Sequence, residues 1–279
     1  MSKKQTNYKI DYAYLELPIK KQELKHAYGS NIHIMNDLFA LTNLAFLCQE
    51  KTIQPSINNI ICDLYQYLIK VVLNNEFPRI VQSFITRMSS ISSDSVWTGQ
   101  VINKNTKTIT VNILRAGSLP SQVCFDCLNK ILDPKLVRQD HMVMSRITNF
   151  KEEVTGSHLG DIKIGGDINN TIMIFPDPMG ATGSSLCEAI RYYKKHVKGN
   201  PCKIININLI ITPEYLMKLK KKHPEVIVYA IRLDRGGSSE SILKEMPGVR
   251  WQEESGLTDK QYIIPGGGGF GEIINNSYC

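Results

Sequence analysis

Apolar residues return along this chain at two periods. From about residue 34 to 48 they fall at helical spacing, with Leu38, Phe39, Leu41 and Phe46 among them. A second helical run opens at Pro55, a residue suited to a first turn, and Ile57, Ile60, Ile61, Leu64, Leu68 and Val71 keep the i, i+3, i+4, i+7 pattern. Beyond residue 107, short apolar runs alternate with amphipathic stretches. The runs predict strands at 108–114, 141–147, 171–175, 205–211, 226–231 and 262–264. The stretches between them predict helices at 121–132, at 185–196, and from Thr212-Pro213 to just before Pro224. Residues 148–170 contain Gly156, Gly160, Gly165 and Gly166 and predict a long loop or hairpin arm.

Strand–helix alternation of this kind predicts an α/β fold, a mostly parallel sheet flanked by helices on both faces. Residues 1–31 are polar, lysine-rich and weakly periodic and form an N-terminal extension. With the two helical runs that follow, the chain is expected to begin with an N-terminal helical extension ahead of the sheet. No repeat or linker divides the remainder, so 32–279 is expected to be one domain. In such sheets ligands sit beyond the carboxyl ends of the strands, which directs attention to the loops that leave them.

Composition narrows the class without deciding the partner. Of 279 residues, 42% are hydrophobic and 21% charged, which excludes a disordered chain. Lys and Arg number 33 against 26 Asp and Glu, a formal charge of +7, and an anionic partner suits that balance. The excess sits partly in clusters such as Lys194-Lys195 and Lys218 with Lys220-Lys221-Lys222, read as solvated helix faces, and only Tyr192-Tyr193 adjoins one, so nucleic acid is not the expected partner. Seven scattered cysteines form no zinc or disulfide pattern. Cys124, Cys127, Leu128 and Ile131 read as one buried helical stripe instead. Without an apolar leader or a membrane-length run, the expected compartment is the reducing cytoplasm.

The candidate chemistry lies at Asp177-Pro178-Met179-Gly180-Ala181-Thr182-Gly183-Ser184-Ser185, between a strand and a helix. Small residues let several backbone N–H groups converge where the helix N-terminus adds about half a positive charge, and hydroxyls stand beside them. A phosphomonoester suits such a loop. A nucleotide-binding P-loop would need a Lys that is absent here. Gly266-x-Gly268-x-x-Gly271 matches a dinucleotide fingerprint only as a string, since eight residues remain after Gly271.

The loop resembles the phosphoribosyl pyrophosphate loop of the uracil phosphoribosyltransferase family, usually Asp-Pro-Met-Leu-Ala-Thr-Gly-Gly-Ser. Three further matches follow the family's order. Ile113-Leu114-Arg115-Ala116-Gly117 is similar to its Ile-Leu-Arg-Ala-Gly loop, Arg146 falls where a second arginine follows the next strand, and the stretch Gly256 to Gly266 resembles the approach to the uracil loop. The resemblance implies a type I phosphoribosyltransferase-like fold and transfer of ribose-5-phosphate to uracil N1, giving UMP and pyrophosphate. It implies that Ala181, Thr182, Gly183, Ser184 and Ser185 cradle the 5-phosphate, with Pro178, Met179 and Gly180 leading in. Asp177 would accept from the ribose hydroxyls, and Arg115 and Arg146 would grip the diphosphate, with Asp177 and Arg115 the catalytic pair. Main chain around Ile263, Gly268, Gly269 and Phe270 would meet the base. Mg²⁺ is the implied cofactor, screening the diphosphate, with no dedicated protein ligands assigned; a homodimer or higher homo-oligomer is the implied assembly. Departures are specific. The family's Pro-Gly-Leu-Gly-Asp-Ala-Gly-Asp-Arg is here Pro265-Gly-Gly-Gly-Gly-Phe-Gly-Glu272-Ile273, which replaces the loop acid by Gly269 and removes the arginine. Ile147-Thr148-Asn149-Phe150 stands where the family has Asp-Glu-Glu-Thr, and 234–255 is a longer connection. A donor-binding regulator or a silent paralogue, with an RNA or protein partner, is the alternative.

Overall fold

Fully apolar strands with helices between them can bury both faces only at the middle of a layered fold, and that arrangement is observed. The computed structural model describes residues 10–19, 22–148 and 154–277, and the side chains of these except 145–148 and 154–158. In chain order the elements are β1 (Ile32–Ile34), α1 (Leu38–Leu47), α2 (Ser56–Glu76), β2 (Arg79–Ile85), β3 (Val96–Ile102), β4 (Thr108–Leu114) and α3 (Ser118–Asn129). They continue with β5 (Val137–Thr148), β6 (Val154–Lys163), β7 (Ile172–Pro176), β8 (Met179–Gly180), α4 (Ser184–His196) and β9 (Lys203–Ile211). The last four are α5 (Pro213–Lys222), β10 (Ile227–Leu233), α6 (Glu240–Leu243) and α7 (Phe270–Ile273).

The main sheet runs β1-β10-β9-β7-β4-β5-β6, with short β8 on β9, and every pairing is parallel except β5 with β6. All five residues of β7 are buried, as a strand covered on both faces requires. On one face α1, α2 and α3 bring Leu44, Leu64, Leu68, Cys124 and Leu128 against Ile174, Ile205 and Ile207. On the other, α4 and α5 bring Leu186, Ile190, Leu216 and Leu219 against Met173, Phe175 and Ile211.

The topology fixes where a ligand can enter. From β4 the chain crosses through α3 to β5 on one side; from β7 it crosses through α4 to β9 on the other. Strand order therefore reverses between β4 and β7, which are neighbours, and the crevice opens beyond their carboxyl ends.

Several expectations change. The described residues 10–31 hold a single 3-10 turn, Tyr12–Tyr14, and the first strand lies ahead of α1, so the helices follow the sheet's edge strand instead of preceding the sheet. Tyr28 of the extension is buried, and its hydroxyl donates to Glu254. Within 148–170, as expected for a hairpin arm, β6 pairs antiparallel with β5, and 149–153 lie outside the described residues. The sequence pattern passes over the β2–β3 hairpin, whose strands mix Gln, Ser and Thr with apolar residues that stay largely exposed. Residues 262–264 do not form a strand; Ile263 makes only an isolated bridge to Leu257. In the cysteine stripe Cys124 and Leu128 are buried, but Ile131 lies beyond the end of α3 and is exposed.

Candidate active site

Three loops meet at the crevice. The first leaves β4 with Arg115, after a cis Leu114–Arg115 peptide. It closes against the end of β7: a side chain begun at Gly117 would lie 2.7 Å from the Ile113 carbonyl oxygen and 3.1 Å from that of Pro176. The Arg115 guanidinium, about half exposed, donates to the Ser277 hydroxyl at 3.0 Å and lies 3.5 Å from the Glu272 carboxylate. The C-terminal turn thus lies over the arginine that the sequence assigns to the diphosphate.

The second loop is 177–185. Its entry is strapped to the sheet. Asn208 of β9 donates to the Asp177 carbonyl at 2.6 Å, β8 pairs with Ile210 and Ile211, and the Asp177 carboxylate takes the Met179 N–H at 3.2 Å. Thr212 ties it to α5. Its hydroxyl donates to the Ala181 carbonyl at 2.7 Å and accepts the Tyr215 N–H at 3.1 Å, capping that helix. The loop then turns through Gly183 at φ +74°, a left-handed conformation costly for any residue with a β-carbon, and α4 begins. In this helix the first backbone bond runs from Cys187 to Gly183; the Ser184 N–H donates to the Thr182 hydroxyl at 3.4 Å, and those of Ser185 and Leu186 lie at the open helix end.

Tyr215 explains one departure of the loop. Its ring stands where a side chain at position 180 would go, 3.2 Å from that β-carbon, and equally close to one at 183. Gly180, where the resembling family has Leu, makes room for it. The buried phenol donates to Asn206. Burial first, then the nearby Asp177 charge, holds the phenols of Tyr215 and Tyr65 well above the usual tyrosine range, so both remain donors at neutral pH.

The third loop, 263–271, is set by residues that sequence reasoning missed. Asp234, buried at the end of β10, accepts the Gly266 N–H at 2.8 Å and pairs with Arg232, which donates to the Gly266 carbonyl at 2.8 Å. Burial works against the Arg232 charge, but the Asp234 carboxylate outweighs it and raises the Arg232 pKa. Glu214 of α5 takes the Gly256 N–H at 3.0 Å, which holds the approach to this loop. Gly268, at φ +90°, faces open space, with nothing within 4 Å of where a side chain would start. The Phe270 ring is in the core, so only its main chain can face a ligand. Where a side chain at 269 would begin, the Glu272 carboxylate already stands.

The structure therefore brings Arg115, Asp177 and the Pro178–Ser185 loop, together with Gly268 and Gly269, to one crevice. Arg146 lies on β5, but its side chain is outside the described residues. A further cation enters from α5: Lys218 donates to the Ser184 hydroxyl at 2.6 Å. Its charge, with that of Lys222, partly offsets the burial that raises the pKa of Cys187 in the same first turn of α4. Nothing in the local sequence of the loop signals Lys218 or Asp234, since both come from distant segments. Tyr193, beside a lysine cluster, is buried and donates to Asp140, which leaves it useless for stacking bases. No helix among the described residues is long and apolar enough to cross a membrane.

A family model described as uracil phosphoribosyltransferase matches residues 35–250. The uracil phosphoribosyltransferase of Acinetobacter baylyi is 31% identical over 189 residues, 65% of this chain and 72% of its own length. One from Thermoanaerobacter is 33% identical over 112 residues, 40% of this chain and 42% of its own. Among solved structures, the AQ2163 protein of Aquifex aeolicus shares the fold with a TM-score of 0.65 at 20% identity, over 88% of this chain and 97% of that one.

Proposed function

Because the chain belongs to the uracil phosphoribosyltransferase family, we propose that it transfers ribose-5-phosphate from phosphoribosyl pyrophosphate to N1 of uracil, releasing pyrophosphate. The observation that carries the reading is the phosphate loop 177–185 opening onto α4 at the switch between β4 and β7, with Arg115 on the adjacent strand end. The 5-phosphate rests on the outward N–H groups of 182–186, where the helix dipole favours an anion. Asp177, an acceptor-only carboxylate, takes the ribose hydroxyls and sets the face of the sugar presented to the base.

In the reaction the bond from ribose C1 to the diphosphate oxygen breaks, the electron pair leaves with the diphosphate, and uracil N1 bonds to C1 as it gives up its proton. Positive charge develops on the ribose and negative charge on the leaving group. Fixed donors aimed at that leaving group lower the barrier. Arg115 supplies them, turning from Glu272 and Ser277 to the diphosphate; a fork of N–H groups suits its oxygens. Gly268, with open space beside it, leaves main-chain groups free to meet the edge of a pyrimidine, with the Gly269 N–H beside them, while the Phe270 ring is turned into the core.

Among the described residues no three His, Cys, Asp or Glu side chains gather as a metal cage. In this reading a Mg²⁺ ion is carried mainly by the donor's own oxygens, with the Asp177 carboxylate on the ribose side. When bound, such an ion would screen the diphosphate charge. Incubation of the full chain with donor and a panel of free nucleobases, read by mass spectrometry, tests the reading. The expected product is UMP with equimolar pyrophosphate; a nucleotide of another base, or pyrophosphate released without any base, contradicts it.

A further inference from the structure

We infer that Lys218 is a binding residue for the donor's 5-phosphate, supplied to the phosphate loop by α5; the inference rests on the reading of 177–185 as a sugar-phosphate site. The lysine is partly buried, and its ammonium lies 2.6 Å from the Ser184 hydroxyl, at the first residue of α4. That hydroxyl also accepts from Thr182 at 3.2 Å. No carboxylate pairs with Lys218 among the described residues, although ion pairs are common elsewhere on the surface of this chain.

The position is electrostatically odd for a lysine. A helix N-terminus carries partial positive charge and disfavours a cation, whereas the last turn of a helix favours one. Lys220, Lys221 and Lys222 obey that rule at the end of α5, and Lys194 and Lys195 obey it at the end of α4. Lys218 instead crosses from α5 to the wrong end of α4. The open end of α4, the Thr182 and Ser184 hydroxyls and the Lys218 ammonium meet there. Every one of them is a donor or can act as one, so the group that balances them is an anion with several acceptor oxygens. A phosphate dianion has that chemistry and that size.

Two departures of the loop fit the same account. Ser184 stands where the resembling family has Gly, and its hydroxyl is the atom that Lys218 touches. Gly180 admits Tyr215, which precedes Lys218 by three residues and so by nearly one turn of α5. Packing of Tyr215 against the loop fixes the distance of α5 from it, and so brings Lys218 within reach. In this chain a charge from a second helix joins the loop's main chain and hydroxyls.

The charge acts on the phosphate, remote from the bond that breaks, so it contributes equally to the ground and transition states. Loss of such uniform binding raises KM and leaves kcat in place. The test uses the full-length chain, ribose-5-phosphate as the binding probe, and pyrophosphate release as the kinetic readout. Lys218→Met is expected to weaken ribose-5-phosphate by at least about tenfold in calorimetric titration, and to raise donor KM by a similar factor with kcat kept within about twofold. Lys218→Arg is expected to restore most of the loss, because it keeps the charge. Should Lys218→Met fail to fold, Lys218→Gln carries the same expectation, with thermal melting as the control. Affinity and KM unchanged in either neutral variant overturn the assignment of Lys218 alone. So does a fall in kcat at constant KM. Wild-type chain that neither binds ribose-5-phosphate nor releases pyrophosphate overturns the underlying reading, and this inference with it.

Discussion

At the scale of single residues the site separates groups that do chemistry from groups that hold them. In the proposed reaction Asp177 meets the reacting sugar and Arg115 its leaving group. Asp177→Asn and Arg115→Ala are each expected to lower kcat/KM at least about tenfold, a loss of about 1.4 kcal/mol of transition-state stabilisation or more. Steady-state rates measured by pyrophosphate release check this, and unchanged rates in both variants would remove the assignment. Glu272 works in the opposite sense. Its carboxylate, 3.5 Å from the Arg115 guanidinium and partly exposed, competes with the diphosphate for the same donors. An exposed ion pair contributes about 0.2–1 kcal/mol, so Glu272→Gln is expected to lower donor KM by no more than about fivefold; an increase would show that the carboxylate supports the donor instead. Gly183 is required by its backbone. At φ +74° with Tyr215 packed against it, Gly183→Ala is expected to cost about 1–2 kcal/mol, read as a lower urea midpoint.

Secondary-structure elements were unevenly legible in the sequence, and the reason is what each one packs against. Strands β4, β7, β9 and β10 are central, covered on both faces, and so written as apolar runs; α4 and α5 carry one apolar face each. Their order alone places the phosphate loop at a strand end. The β1 strand was hidden because three residues inside a polar stretch become a strand only when β10 offers an edge. The β2–β3 hairpin pairs with no other strand, and its polar residues mask the alternation. Within the site, local signals pointed to the small-residue turn 180–185 after a strand, while Arg115 and the role of Asp177 came from the family resemblance. Arg232, Asp234, Tyr215 and Lys218 were invisible, since each acts on a loop tens of residues away along the chain. The N-terminal extension behaves likewise. Its Tyr28 is bound to Glu254, which also takes Arg235 and the Gly248 N–H, so Tyr28→Phe leaves a buried carboxylate short of a donor. A loss of about 1–3 kcal/mol in urea unfolding is expected, whereas a loss confined to turnover would contradict this structural role.

For the molecule as a whole, two histidines, His26 and the buried His223, weaken it toward acid. Burial lowers the pKa of His26 and of His223, with hydrogen bonds to the Ile32 and Cys187 carbonyls opposing it in part. The unfolded chain titrates these groups near the ordinary histidine value, about 6.5, and so takes up protons that the folded chain refuses. Stability is expected to fall as pH drops from 7.5 to 5.5, a window that leaves the carboxylates ionised; a urea midpoint that stays level or rises would contradict it. The decisive position is the start of α4. A crystal structure of the full chain soaked with ribose-5-phosphate is expected to show the phosphate at the open N-terminus of α4, beside Ser184 and Lys218, with the ribose hydroxyls turned to Asp177. Phosphate bound elsewhere, or a protein side chain filling that cradle, would contradict it.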